Sequence, residues 1–550
     1  MATKVERKII KQNHQHHTNR TRLYVAASEG NLNLVQNLVL SGAIVNDHSR
    51  HYNKETPIFG ASGSRVVEVI NYLLRCGADP TLSSSSGHTC IHEACKSGYL
   101  NSCKALVEFQ HDVLCPNGID LWVRNNAGWN AFHWAVYSGS KKVVKWLLES
   151  EQRKNVQFDT VEDEDQAIEQ KKNNTTVSSA QWKADQEYED IADLKYEQFM
   201  YTVVDMVRDN ATNNGFTPLH IAAQQNDPTM LLLLLEYGAG GGKQATHIDV
   251  RNNAGDTPLH VACIHNSVLA ATCLINSGSV LFATNRFGQT AFHRCVMVNN
   301  IHIVELLLSY CSTHYTSNKD SPVQLVHLTT NMNWTNISLA VRAATSSAAG
   351  AGGTGGTGGA GGTGGTGGAK DNDTAGGGRD SIAVLQLLAK WCGSGGVDSE
   401  NDDDDGHEPL VETMTKSGLS PLMLACGEGL INVAYYLLTS MHAEPNSQNT
   451  TGYAPLHAAA RGGHDAVVSL MLEQGADLSI EDENGWTSLH FAAKEGHVST
   501  CSMLCQHLYP SGGTLCSDFM SIKNVRGESA ARIAFKWGKQ EVLDALSYYE

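Results

Sequence analysis

One phrase recurs along the chain: Gly-x-Thr-Pro-Leu-His followed by an apolar residue and then Ala-Ala or Ala-Cys. It reads Gly215-Phe216-Thr217-Pro218-Leu219-His220-Ile221-Ala222-Ala223 and again Gly255-Asp256-Thr257-Pro258-Leu259-His260-Val261-Ala262-Cys263. Looser copies run from Thr21 to near the C-terminus. Thr56 and Thr89, Thr257 and Thr290, and Ala454 and Thr487 each lie 33 positions apart. A period of this kind constrains the fold more than any single residue, because each copy buries its apolar face only against its neighbours. Within the phrase, Thr suits a helix N-cap, its hydroxyl accepting from an unpaired first-turn N–H. Pro suits the first helical position, where a missing N–H costs nothing. Leu and the Ala pair give a small-residue face for close helix contact. Gly98, Gly139, Gly429, Gly463 and Gly496 fall where a left-handed cap would end the first helix. An apolar second helix follows, as in Val143-Val144-Lys145-Trp146-Leu147-Leu148, closed by a Gly-Ala step such as Gly475-Ala476.

Period and motif together resemble the ankyrin-repeat family. That resemblance implies an all-α solenoid of stacked helix-turn-helix units with β-turn tips, about twelve units here, interrupted by two long insertions. The expected organisation is a disordered basic tail over 1–20, repeats one to four over 21–150, and an acidic and helical insertion over 151–211. Repeats five to seven follow over 212–311. A degenerate eighth repeat occupies 312–415, with its opening helix at Thr335-Asn336-Ile337-Ser338 and its second at Ser381–Leu388. Repeats nine to twelve, with a degenerate C-terminal cap from Gly527, fill 416–550. Between Ala349 and Ala369 the Gly/Thr/Ala tract is too poor in apolar residues to bury a core and reads as a flexible loop. The repeats are expected to form one elongated body, with hinges, where there are any, at the two insertions.

Composition narrows the function classes. Lys and Arg number 40 against 57 Asp and Glu, a net charge of −17. Nucleic-acid binding wants a basic stripe, and only Lys4, Arg7, Lys8, Lys11, Arg20 and Arg22 cluster, in a segment that reads as a solvated tail. The run Met230–Leu235 is far shorter than the ~20 apolar residues of a membrane span, and the polar N-terminus has no apolar signal segment. Most of the cysteines, Cys95, Cys263 and Cys426 among them, occupy small apolar repeat positions and read as buried reduced thiols of a cytosolic chain, with the nucleus as the alternative.

Candidate chemistry yields to plainer readings. His92, His133, His220, His260, His293, His457 and His490 fall one per repeat. Stacking separates them by roughly 8–10 Å, too far for shared zinc ligation at about 2.0–2.3 Å. They read as struts hydrogen-bonding between adjacent turns, and no metal or cofactor is expected. His14-Gln15-His16-His17 is a separate cluster of little weight. Asn401–Gly406 followed by Glu412 matches the spacing of an EF-hand loop. Asn at position 1, Pro409 at position 9 and the glycines at 393–396 favour a solvated acidic loop instead. The Gly tract lacks the Gly-Lys-Ser/Thr ending of a phosphate loop, and no catalytic motif appears.

What remains is surface. The resemblance implies that partners contact turn tips and the exposed side of each first helix, which together form a concave groove. The residue just before each Thr position then projects into that groove: His88, Trp129, Phe216, Asp256, Gln289, Leu419, Tyr453 and Trp486. Trp129, Phe216, Tyr453 and Trp486 have the character of interface anchors, although each could simply pack on its neighbouring turn. Tyr137, Arg461 and Lys494 are matching first-helix positions, and Arg461 and Lys494 near Tyr453 and Trp486 make the C-terminal repeats the preferred patch. The expected function is a non-enzymatic, monomeric scaffold or adaptor that binds other proteins. The alternative is a recognition or regulatory arm of a larger assembly, such as a ubiquitin ligase adaptor, a signalling complex or a channel's cytosolic domain. The chain's ending at Glu550 directly after the last helix pattern counts against that alternative. An enzyme with its site in an insertion is the remote third reading.

Overall fold

First helices begin where the cap residue changes backbone direction, and in most repeats a histidine three residues on locks that turn. Thr89, Thr217, Thr257 and Thr487 precede helices Cys90–Ser97, Pro218–Gln224, Pro258–Ile264 and Ser488–Glu495. In a computed structural model the chain is described over residues 22–48, 53–109, 119–149, 211–238, 248–314, 322–348, 380–393, 410–508 and 518–549. The basic tail, the His14–His17 cluster, the insertion up to 210, the Gly/Thr/Ala tract and the Asp402–Asp405 run lie outside the described residues. Among those described, all regular structure is helical, apart from two isolated antiparallel bridges, Thr284 with Thr290 and Thr329 with Thr335, at turn tips.

The first helices are short. Pro218–Gln224 has only 7 residues, below the length at which a helix holds in isolation, so packing has to supply its stability. Stacking supplies it. In the N-terminal unit, Met1–Val280, first helices follow one another in contact: Pro57–Ser62, Cys90–Ser97, Ala131–Tyr137, Pro218–Gln224 and Pro258–Ile264. In the C-terminal unit, Leu281–Glu550, the series is Ala291–Met297, Asn336–Ala348, Pro421–Gly427, Pro455–Gly462, Ser488–Glu495 and Ala530–Lys536. Second helices form a parallel layer, with Ile431–Thr439, Asp465–Glu473 and Val498–Leu508 packing in turn. Between the layers lie fully buried Phe132, Leu147, Leu148 and Leu219 in the first unit and Phe292 in the second. Each such side chain contributes about 1.5–3 kcal/mol through its burial.

The division into units falls at Val280/Leu281 and not at an insertion. Across residues 151–210, Pro218–Gln224 still packs on Ala131–Tyr137, and the Asn213 N–H donates to the Ala127 carbonyl at 3.2 Å. The insertion joins a second helix to the following tip, so neither the helix stack nor the tip ladder has to open for it. In the C-terminal unit Asn336–Ala348 and Asp380–Gly393 pack on each other, the former lying between Ala291–Met297 and Pro421–Gly427. A further helix, Pro322–His327, precedes them.

Successive repeats approach closely at their glycines, as two positions illustrate. Gly463 has φ +68°, and a Cβ there would lie 2.4 Å from Nδ1 of His497 in the next repeat. At the tips, a Cβ on Gly128 (φ +79°) would lie 2.6 Å from the backbone nitrogen of Asn213. Where the first helix lacks its terminal glycine, Asn226, Asn266 and Asn299 take the left-handed conformation, φ 54–57°, which asparagine tolerates better than most residues.

Candidate partner-binding face

The repeat histidines are the scaffold of this face. His92 Nδ1 accepts from the Thr89 backbone N–H at 3.1 Å and from its hydroxyl at 2.9 Å, while Nε2 donates to the Trp129 carbonyl of the next tip at 3.1 Å. His220 does the same between Thr217 and Asp256, His293 between Thr290 and Leu328, and His490 between Thr487 and Glu528. The Thr hydroxyl therefore serves the imidazole more than the first-turn N–H expected of an N-cap; at Thr290 it also accepts from the His293 N–H, at 3.4 Å. With Nδ1 accepting, the imidazole is fixed as the neutral Nε2–H tautomer and has no lone pair left for a metal. Burial drives these groups toward the neutral form. His220 is lowered to about 4, and His92, His457 and His490 are also shifted down, despite the carbonyl bonds that oppose this.

The struts of His92, His220 and His490 end on the carbonyl of the residue just before the next cap, Trp129, Asp256 and Glu528, whereas those of His293 and His457 end on Leu328 and Ile480, earlier in the same tips. In the N-terminal unit the Trp129 ring lies 4.9 Å from Trp134 and 5.7 Å from Tyr137, edge to face with the latter. His88 packs on Trp134 at 5.1 Å, and Lys96 Nζ lies 5.5 Å above the same ring. Tyr137 is 42% exposed. Phe216, half-buried, packs at a tilt on His220 of its own repeat, ring centroids 5.5 Å apart.

In the C-terminal unit Tyr453 and Trp486 are joined through Phe491, whose ring is 5.5 Å from the first and 5.2 Å from the second. Arg461 hydrogen-bonds the Tyr453 side chain; burial raises that phenol, and the guanidinium partly offsets the rise. Lys494 Nζ sits between two indoles, 5.9 Å from Trp486 and 5.5 Å from Trp537 of the next repeat. Trp334 carries Arg342 over its ring at 5.1 Å. Tyr453 and Trp486 are half-buried, so each packs on neighbouring rings and still offers surface. The two readings of these aromatics are not exclusive.

Sequence reasoning missed Trp134, Trp334, Phe491 and Trp537. Trp134 and Phe491 stand directly after the motif's His, at a variable position that a helical period assigns to the apolar core. Trp334 precedes Thr335 in the copy lacking both Pro and His, which hid its equivalence to Trp129 and Trp486.

The cysteines whose side chains are described are free thiols, and Cys95, Cys263 and Cys426 are buried. No helix among the described residues is long and apolar enough to cross a membrane.

A profile of ankyrin repeats in three copies matches residues 23–113, 61–158, 243–320 and 422–514, more than half of the chain, and a single ankyrin repeat matches 214–246. Among known proteins, the chain is similar to human transient receptor potential cation channel subfamily A member 1. Identity is 24% over 477 residues, 82% of this chain and 39% of that one. The mouse B-cell lymphoma 3 protein homolog is 25% identical over 265 residues, 48% of this chain and 45% of that protein. Target of rapamycin complex 2 subunit AVO2 of Saccharomyces cerevisiae is 28% identical over 195 residues, 36% of this chain and 38% of its own. The chain thus spans less than half the length of each of these relatives.

Proposed function

The chain belongs to the ankyrin-repeat family, and from that premise we propose that it is a non-enzymatic scaffold or adaptor that captures other proteins on its first-helix and tip face. The observation that carries this reading is the network Tyr453, Phe491, Trp486, Lys494 and Trp537, which keeps half-exposed aromatic area and a cation in fixed positions. Rigid aromatics bury much area at small entropic cost, the property of residues that dominate interfaces. Trp129, Tyr137 and Phe216 offer a second such patch in the N-terminal unit. The histidines and buried thiols that could suggest catalysis are consumed as struts and packing. Partners dock on a largely pre-formed surface, and the protein acts in the cytosol as a monomer.

A second reading draws on the relatives' names: one is a channel and another a subunit of a complex. On that reading the same face is the recognition arm of a larger assembly. Affinity purification of the wild type beside Tyr453→Ala/Trp486→Ala tests the shared claim. The double variant is expected to keep its helical circular dichroism and lose the proteins that wild type retains. Equal recovery would remove the C-terminal patch from the account.

A further inference from the structure

The eighth residue after each residue that precedes a cap lies on the first helix of that repeat. In the C-terminal unit these positions hold Met297, Arg342, Gly427, Arg461, Lys494 and Lys536. Not one is acidic, although the chain as a whole carries a net charge of −17. We propose that this row of cations is a binding track for an extended, acidic peptide segment of a partner protein, with carboxylates at about every third residue. The proposal rests on the reading that the first-helix face binds partners, and it names the chemistry of what is bound.

Three observations support it. First, the cations are positioned by aromatic partners: Arg342 over Trp334, Arg461 on Tyr453, and Lys494 between Trp486 and Trp537. The backbone beneath Arg461 is also pinned, its carbonyl accepting from His497 Nε2 at 3.0 Å. A favourable helix-end charge would need neither device.

Second, the molecule contains its own precedent. In the last repeat the position occupied by Tyr453 and Trp486 earlier in the row is Glu528, and its carboxylate takes Lys536 Nζ at 2.8 Å. Lys494 likewise pairs with its neighbour Glu495 at 3.4 Å, both side chains partly exposed. Surface pairs of this kind are weak, so a peptide carboxylate can exchange for them.

Third, Arg461, Lys494 and Lys536 stand on three consecutive stacked helices. Packed helices lie roughly 8–10 Å apart, and an extended chain in the polyproline II conformation rises about 3.1 Å per residue with three residues per turn, so one rung corresponds to about three peptide residues and every third side chain faces the track. Single-stranded RNA also uses cations and aromatics, but it needs open ring faces for stacking. Here the faces of Trp334, Trp486 and Trp537 already carry the protein's own cations.

The test is fluorescence anisotropy on the full chain with a labelled Gly-Ser peptide bearing Asp at every third position. Comparison probes are the same peptide with Lys for Asp, one with its Asp residues contiguous, and oligouridine. The spaced Asp peptide should bind tightest and weaken as salt is raised. Arg461→Gln/Lys494→Gln/Lys536→Gln should bind it about tenfold more weakly, three surface ion pairs each worth a factor of about two. Its circular dichroism should stay that of wild type. Equal binding of the triple variant, or tighter binding of oligouridine or the Lys peptide, would overturn the proposal. If the spaced peptide does not bind while Tyr453→Ala/Trp486→Ala still loses partners, the acidic track fails and the interaction face stands.

Discussion

The histidine struts make stability depend on pH in a way that can be isolated at one residue. His220 is buried, holds both the Thr217 N–H and the Asp256 carbonyl, and titrates at about 4. Above pH 6.5 the imidazole is neutral in folded and unfolded chain alike and contributes no pH dependence. Below it the unfolded chain takes a proton that the folded repeat refuses, so stability falls from near 6.5 down to about 4. For a group ordinarily titrating at 6.5 and held at about 4, the loss at pH 5 relative to pH 8 is about 2 kcal/mol. His92, His457 and His490 are shifted in the same direction and add to the decline. His220→Ala leaves the buried Thr217 N–H without its partner, while the Asp256 carbonyl keeps the Asn252 N–H at 3.0 Å, and should cost about 1–3 kcal/mol at pH 8. It should also remove its own share of the acid slope. The assay is urea unfolding followed by far-ultraviolet circular dichroism at pH 8 and pH 5 for both proteins. Wild type should lose about 2 kcal/mol more between the two pH values than the variant does. Identical pH dependence of the two proteins, or wild type more stable at pH 5 than at pH 8, would show that the folded repeat does not hold His220 neutral.

Two further outcomes follow from named contacts. Gly463→Ala should lower the thermal midpoint more than Gly538→Ala. Both have positive φ, +68° and +67°, but only Gly463 faces a neighbour, His497, within 4 Å. The second change should cost about 1–2 kcal/mol, the left-handed penalty alone, and equal shifts would mean that the repeat contact does not matter. Cys501, pushed up to about 12 by burial, and Cys426, pushed higher still, should resist iodoacetamide at pH 8 until the chain is unfolded. Partly exposed Cys76 should react before them; mass spectrometry showing native labelling of Cys426 would contradict the packing.

The frame was legible in the sequence because cap, proline and histidine act locally, within one turn. Thr89, Thr217, Thr257 and Thr487 could be read as helix starts without knowing what lay opposite them. The strut role of the histidines followed from their spacing alone, since one imidazole per repeat cannot gather around an ion. The candidate face was only half legible. Trp129, Tyr453 and Trp486 sit before a recognisable Thr, whereas Trp134 and Phe491 sit inside the helix, where periodicity reads any large apolar residue as core. Their half-exposure depends on the rings and on Lys96 or Lys494 lying against them, which are contacts that no local period encodes. Asn226, Asn266 and Asn299 were missed as helix terminators because glycine was the expected signal. The break between units at Val280/Leu281 carries no motif at all.

The central claim is that partners meet the first-helix side of the repeats. Site-specific photo-crosslinking in the source cell tests it most directly, with the reactive residue placed at Tyr137 or Lys494 on that side, and at Leu232 or Tyr435 on exposed second-helix positions. Crosslinked protein adducts are expected from Tyr137 and Lys494 and none from Leu232 and Tyr435. Adducts from the second-helix positions alone would contradict it.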